Sequence, residues 1–255
     1  TNPEVAEAHR KGIPVWPRAR MLAELAGDRS TLAVAGTHGK TSTSSMAAAA
    51  LVAAGQDPTF VIGGELPDLG GNARSGSGSH LVIEADESDG SFLLFDPFCA
   101  IVTNIEADHL DHYGSFEEIV ETFGRFLSRV SPEGVSVLCV DDPVLVSLAD
   151  RSRARVVTYG RSDAAEVRLV DYAPADGGSS FTAEFADGRR IDCTLATPGE
   201  HMALNATGVL AAMDALGIDL PSAARGLSSF SGVRRRFEAV GKAGGVRVVD
   251  DYGHH

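Results

Sequence analysis

Short apolar runs recur along the chain at residues 32–35, 60–62, 80–83, 99–103, 135–140 and 155–159, each of strand length. Between several of them the apolar positions shift to helical spacing. Residues 18–26 form a short amphipathic pattern and 45–54 an alanine-rich one, while 115–130 opens on Ser115 with Glu118 three places on, a capping-box signature. Strands alternating with helices predict an α/β fold: a mostly parallel sheet flanked by helices. The stretch 166–195 follows a different rule. Val167, Leu169 and Tyr172, then Phe181, Ala183 and Phe185, then Ile191, Cys193 and Leu195 alternate with other residues around Gly177-Gly178 and Asp187-Gly188. Such alternation broken by glycine turns predicts a small antiparallel β meander, packed beside the main sheet. Helical patterns return at 201–216 and 222–228, and 246–249 begins a strand with no helix after it. That ending, and a start without an initiator Met, lead us to expect a chain clipped at both ends. Residues 70–79, rich in Gly and Ser, are expected to form a mobile loop.

Composition narrows the partners. With 255 residues, 44% of them hydrophobic, the chain can bury a sizeable core. A net charge of −13 speaks against nucleic acid or an anionic membrane surface as partner. No apolar run approaches the roughly 20 residues of a membrane span, and no signal-peptide pattern opens the chain, so a soluble cytoplasmic protein is expected. Cys99, Cys139 and Cys193 are odd in number and sit in apolar stretches, which predicts small buried side chains in a reducing compartment. Lysine occurs at only three positions, Lys11, Lys40 and Lys242. A polyanionic substrate must therefore be held by local devices.

One such device follows the first central strand. Gly36-Thr37-His38-Gly39-Lys40-Thr41-Ser42 places two glycines, a lysine and three hydroxyls between a strand and a helix. Backbone N–H groups, helix dipole and lysine charge together make a phosphate cradle, and the hydroxyl suits Mg²⁺. The usual Walker A pattern wants a further glycine where this chain has Val34, so this is the shorter Gly-x-x-Gly-Lys-Thr loop. Two further clusters end strands. Glu84 closes the run 80–83, a position suited to Mg²⁺ or its water, while Asp86, Glu87 and Asp89 beyond it read as a solvated acidic loop. After 99–103 come Asn104, Glu106, Asp108, His109 and Asp111, where open α/β sheets place their ligands. On residue chemistry alone His109 is as much a structural histidine as a metal ligand.

Taken together, the loop, Glu84-Ala85-Asp86-Glu87-Ser88-Asp89, Thr103-Asn104-Ile105-Glu106-Ala107-Asp108-His109, His201 with Asn205-Ala206, Arg235-Arg236-Phe237-Glu238 and Asp250-Asp251-Tyr252-Gly253-His254-His255 resemble the Mur ligases. The resemblance covers nearly the whole chain. It implies a linker at 1–29 from an absent UDP-binding domain, a central ATP-binding domain at 30–234, and at 235–255 the first strand of a truncated third domain. It also implies ATP-dependent ligation of L-alanine to the carboxylate of UDP-N-acetylmuramate through an acyl phosphate, in peptidoglycan precursor synthesis. Carried over residue by residue, Gly36, Thr37, His38, Gly39, Lys40, Thr41 and Ser42 wrap the ATP phosphates. Thr41 holds one Mg²⁺, and Glu84 with His109 a second. Asn205, with His201 close by, then faces the adenine. Arg236 and Asp251 approach the nucleotide from the domain junction, with a hinge at 232–236. Asn72 and His254 lie toward the acyl substrate. Several family members carry a carbamylated lysine beside the metal site; none stands between Lys40 and Lys242 here. Two other readings stay open: a sister ligase that joins a recovered tripeptide to the same nucleotide sugar, and a nucleotide-binding module without ligase activity. A generic GTPase is disfavoured because no Asn-Lys-x-Asp segment occurs.

Overall fold

The computed structural model describes residues 2–236 and 238–253. Two helices come first, α1 (Pro3–Arg10) and α2 (Arg18–Ala26), then β1 (Ser30–Ala35), α3 (Lys40–Ala53), β2 (Thr59–Leu66), β3 (Gly71–Arg74), β4 (His80–Glu84) and β5 (Cys99–Val102). There follow α4 (Leu110–Tyr113), α5 (Phe116–Leu127), β6 (Val135–Cys139), α6 (Pro143–Leu148), β7 (Arg155–Gly160), β8 (Val167–Ala175), β9 (Gly178–Phe185) and β10 (Arg190–Leu195). The last elements are α7 (Glu200–Ala215), α8 (Leu220–Ser229), β11 (Glu238–Ala243) and β12 (Val246–Asp250).

Ten strands form one sheet in the order β10-β9-β8-β7-β6-β5-β1-β4-β2-β3. Its centre is parallel, and the interior positions of β1, β5 and β6 are buried on both faces, which is why those strands read as unbroken apolar runs. The predicted meander is present but does not pack beside the sheet. β8 pairs in parallel with β7 through Tyr159 and Gly160, so β8, β9 and β10 extend the same sheet at its edge. Joining edge to edge satisfies the backbone of β7, which a face-on packing would leave open. At the opposite edge, residues 71–74 of the expected loop form β3, antiparallel to β2.

Helix α3 begins at Lys40, five residues before the alanine-rich pattern that marked it in the sequence. Its buried hydroxyls do not interrupt it, because Ser44 Oγ and Ser45 Oγ donate to the carbonyls of Lys40 (2.9 Å) and Thr41 (2.6 Å) one turn back. The capping residue of α5 is as expected: Ser115 Oγ accepts from Glu118 N–H at 3.2 Å. Helices α3, α7 and α8 pack against one another, and α5 packs on α6. The crossovers from β1 and β5 run in opposite directions along the sheet, and the right-handed rule for parallel connections sets these two groups on opposite faces. The three thiols are buried and free, and burial pushes Cys99 and Cys193 up to about 12 and Cys139 to about 11. The strand expected at 246–249 is β12, and it pairs antiparallel with β11, which the sequence pattern had not revealed. Among the described residues no helix is long and apolar enough to cross a membrane.

Candidate active site

Three central strands end together. In register, Val34 of β1 lies opposite Glu84 of β4 on one side and Ile101 of β5 on the other. The glycine loop, the acidic run and the segment after β5 therefore meet at one rim of the sheet. From β1 the chain crosses toward β2, and from β5 toward β6, in the opposite direction. The crevice between such strands is where open α/β sheets take their ligands.

The loop owes its shape to its glycines and to β5. Gly36 has φ +135°, and a Cβ on it would stand 2.1 Å from Thr103 Oγ1. Gly39, at φ +83°, ends the loop and starts α3; its missing Cβ leaves room for the buried Asn205 amide, which would otherwise lie 2.9 Å away. The segment after β5 then clamps the loop. Thr103 Oγ1 (2.6 Å) and Asn104 Nδ2 (3.1 Å) donate to the His38 carbonyl, and His38 N–H donates to Asn104 Oδ1 at 2.8 Å. Thr37 N–H donates to the Asn104 carbonyl at 3.0 Å, while Thr37 Oγ1 accepts from Glu106 N–H at 2.8 Å. The N–H groups of Thr37 and His38 are thus spent inside the protein. The donors available to an anion are those of the first turn of α3, which no helix can satisfy for itself and which carry the positive end of its dipole. Asn104 was part of a motif in the sequence but had no role; the structure makes it the bracket of the loop. Replacing it by Ala should cost about 1–2 kcal/mol in thermal melts, because both bonds to the His38 backbone vanish. Phosphate affinity, read by calorimetric titration with ADP, should fall about tenfold, the equivalent of about 1.4 kcal/mol.

The loop opens onto a cavity of about 1140 Å³. Of the residues singled out from the sequence, Thr37, His38, Gly39, Lys40, Thr41, Ser42, Asn72, Glu84, His109 and Arg236 line it. Gly36 and Asn205 stand behind the loop as packing partners, outside that lining. Asp251 is exposed after β12, between Asp250 and Tyr252, which do face the cavity. Phe237 and His254 lie outside the described residues. Glu84 is fixed on two sides: Oε1 accepts from Thr41 Oγ1 at 2.9 Å and Oε2 from Gly63 N–H at 2.8 Å. A Cβ on Gly63 would come within 2.7 Å of that second oxygen, so the glycine is what lets the carboxylate in. Arg236 reaches Thr41 Oγ1 at 3.5 Å and stacks over the Tyr252 ring, bringing cationic charge to a chain that is acidic overall. It comes from the segment 232–236, in which Gly232 (φ +110°) and Arg235 (φ +61°) are both left-handed.

Asp86 and Asp89 are exposed as expected, but Glu87 is not solvated. Its side chain is 3% exposed and pairs at 2.8 Å with Lys40 Nζ, itself 14% exposed. Burial pushes its carboxyl up, opposed by the Lys40 charge. The Tyr113 hydroxyl donates to the Glu87 carbonyl, and burial together with Glu87 and its neighbouring acids raises that phenol to about 12. A buried lysine demands a carboxylate partner. Spacing alone could not tell which acid of the run would turn inward.

Fold and site together define an α/β domain whose glycine loop and helix N-terminus open onto a cavity at the switch point of a parallel sheet. The Mur ligase middle domain matches residues 34–213, and the chain belongs to the Mur ligase family. It is 51% identical, over 261 aligned residues covering all of it, to the UDP-N-acetylmuramate–L-alanine ligase of Mycolicibacterium gilvum strain PYR-GCK. The match takes in 54% of that relative, so the chain spans about half the length of the curated relatives it matches. Among solved structures, the UDP-N-acetylmuramate–alanine ligase of Thermotoga maritima superposes with a TM-score of 0.85 at 31% identity, over all of this chain and 58% of that one. The Neisseria UDP-N-acetylmuramate:L-alanyl-γ-D-glutamyl-meso-diaminopimelate ligase gives 0.80 at 29% identity, over 91% of this chain and 75% of that one.

Proposed function

We propose that this chain is the nucleotide-binding core of an ATP-dependent ligase that joins L-alanine to the carboxylate of UDP-N-acetylmuramate. In this reading residues 30–234 are the ATP-binding domain, 1–29 a linker into it and 235–255 the start of a further domain. The observation that carries it is the convergence of Lys40, Thr41, Glu84 and His109 on one cavity at the switch point. The half-identical relatives named for this activity supply the substrates.

A carboxylate is a poor acylating agent, and the γ-phosphoryl group of ATP moved onto it converts it into one. The N–H groups that open α3 and the Lys40 ammonium hold the phosphates during that transfer, which needs positioning and charge neutralisation more than covalent help. The amine of L-alanine then attacks the acyl carbon, and inorganic phosphate leaves. Thr41 would hold one Mg²⁺, and Glu84 with His109 a second. The Thr41 hydroxyl, the Glu84 carboxylate aimed at it and the His109 imidazole line one cavity, and such oxygen and nitrogen donors suit ions of this kind. When bound, such ions supply neutralisation of phosphate charge. Asn205 would face the adenine, Arg236 and Asp251 would approach the nucleotide from the domain junction, and Asn72 and His254 would serve the acyl substrate. Closure about 232–236 would exclude water, which otherwise hydrolyses the acyl phosphate.

The test is phosphate release from MgATP by this chain joined to the flanking segments that its longer relatives carry. Release should require both UDP-N-acetylmuramate and L-alanine, and the 255 residues alone should bind ATP yet form no amide. Dependence on the L-alanyl-γ-D-glutamyl-meso-diaminopimelate tripeptide in place of L-alanine would reassign the substrate. ATP binding without turnover on either acceptor would leave a nucleotide-binding module.

A further inference from the structure

Lys40 has three ammonium protons, and all three are engaged within the protein. They go to the carbonyls of Gly36 (2.8 Å) and Thr37 (3.2 Å) and to Glu87 Oε1 (2.8 Å). The lysine that should meet the phosphates is folded back onto its own loop. Glu87 is one of its anchors, yet it stands outside the cavity lining, behind Lys40. Glu87 Oε2 is buried with no hydrogen-bond partner among the described residues. A carboxylate this enclosed cannot simply be abandoned, since a lone buried charge is costly. A second nitrogen-bearing side chain lies close to the same carboxylate. His109 Nε2 is 4.0 Å from the same Oε1 that binds Lys40. The backbone of His109 is held left-handed (φ +53°), with its N–H donating to Asp108 Oδ1 at 2.7 Å.

We propose that Glu87 is a positioning residue that competes with the nucleotide phosphates for Lys40. When a phosphate takes the lysine, the freed carboxylate is left to the His109 side of the site. Occupancy of the phosphate loop and binding of a divalent cation near His109 are thereby coupled through one buried side chain. The inference rests on the nucleotide reading above and deepens it. No bond is made or broken; an ion pair is exchanged.

The experiment is calorimetric titration of the 255-residue chain with ADP, without metal and then with Mg²⁺, on wild type and on Glu87→Gln. The amide keeps the shape of the side chain and removes its charge. Metal-free ADP should bind about tenfold more tightly to Glu87→Gln, and the gain in affinity that Mg²⁺ brings to wild type should shrink. A purely structural role for Glu87 cannot produce tighter binding. Equal or weaker metal-free binding in the variant, or an undiminished Mg²⁺ effect, would overturn the proposal. No ADP binding by wild type would instead defeat the nucleotide reading itself. Should Glu87→Gln fail to fold, wild type still decides the matter by NMR of its lysine ammonium groups. With only three lysines, Lys11→Arg and Lys242→Arg assign the Lys40 signal. Metal-free ADP should move that signal and the Glu87 carboxylate carbon together, the latter assigned with Glu87→Asp. Movement of Lys40 with an unmoved Glu87 carboxylate would refute the exchange.

Discussion

Replacing Lys40 by Ala should abolish nucleotide binding and destabilise the fold at the same time. The first loss, at least a hundredfold in ADP affinity by calorimetric titration, follows from removing the cation at the mouth of the loop, worth about 2.7 kcal/mol at that factor. The second follows from Glu87. Lys40 and Glu87 are both largely buried and 2.8 Å apart, so cutting one away strands the other. Breaking a buried pair in this manner typically costs about 3–5 kcal/mol. The sign with pH is fixed by the direction of the Glu87 shift. Its carboxyl is already raised by burial in the presence of Lys40, and loses the opposing charge when Lys40 goes. A carboxyl raised on folding takes up a proton as the chain folds. Its contribution is therefore full below the unfolded pKa and is lost as pH rises through the folded one. Thermal melts of Lys40→Ala should accordingly approach wild type in acid and fall away toward neutral pH. Lys40→Ala combined with Glu87→Gln should recover much of the neutral-pH stability and none of the ADP binding. A Lys40→Ala melt that tracked wild type across the range would remove Glu87 as its partner.

Gly36→Ala is expected to be as damaging by a different route. The new Cβ would sit 2.1 Å from Thr103 Oγ1 and 3.1 Å from both Thr103 N and Asn104 O. A hydroxyl can rotate away, but two backbone atoms in the central strand rim cannot. The backbone at φ +135° is itself one that L side chains rarely adopt. Strain of about 1–3 kcal/mol from the dihedral, added to about 1–3 kcal/mol of overpacking, should lower the melting temperature sharply. It should also push Thr37 and His38 off the Asn104 bracket, so that ADP binding is lost even in the folded fraction. Thr103→Ala in the same chain removes the nearest clash yet leaves the backbone contacts and the dihedral. Little rescue is expected; full rescue would show that the hydroxyl alone made the glycine necessary.

The division between what pattern reveals and what it hides is clear at this site. The glycine loop and Glu84 stand out because each follows a buried strand directly, and the end of a buried strand is where chemistry-bearing residues collect in open sheets; His109 stands out only through the family resemblance. The start of α3 was misjudged because serines and threonines usually compete with a helix, and here they bond back into it. The acidic run suggests solvation throughout, and nothing in a run of acids says that Glu87 turns inward while Asp86 and Asp89 stay exposed. Asn104 looked like one polar residue among several. Its two bonds to the His38 backbone span 66 positions in the chain.

By itself the sequence determined the class of the fold, the phosphate loop, the strand-end carboxylate and the meander as a unit. All of these rest on interactions between residues close in the chain, or on periodicity that local geometry imposes. Only the tertiary structure decided that the meander continues the main sheet, that residues 71–74 are a strand, that Asn104 brackets the loop and that Glu87 holds Lys40. Each of those depends on which strands end side by side and which side chain finds the last buried partner. Such choices are made by packing and by the cost of leaving a buried polar group alone, and those costs are set by neighbours distant in sequence.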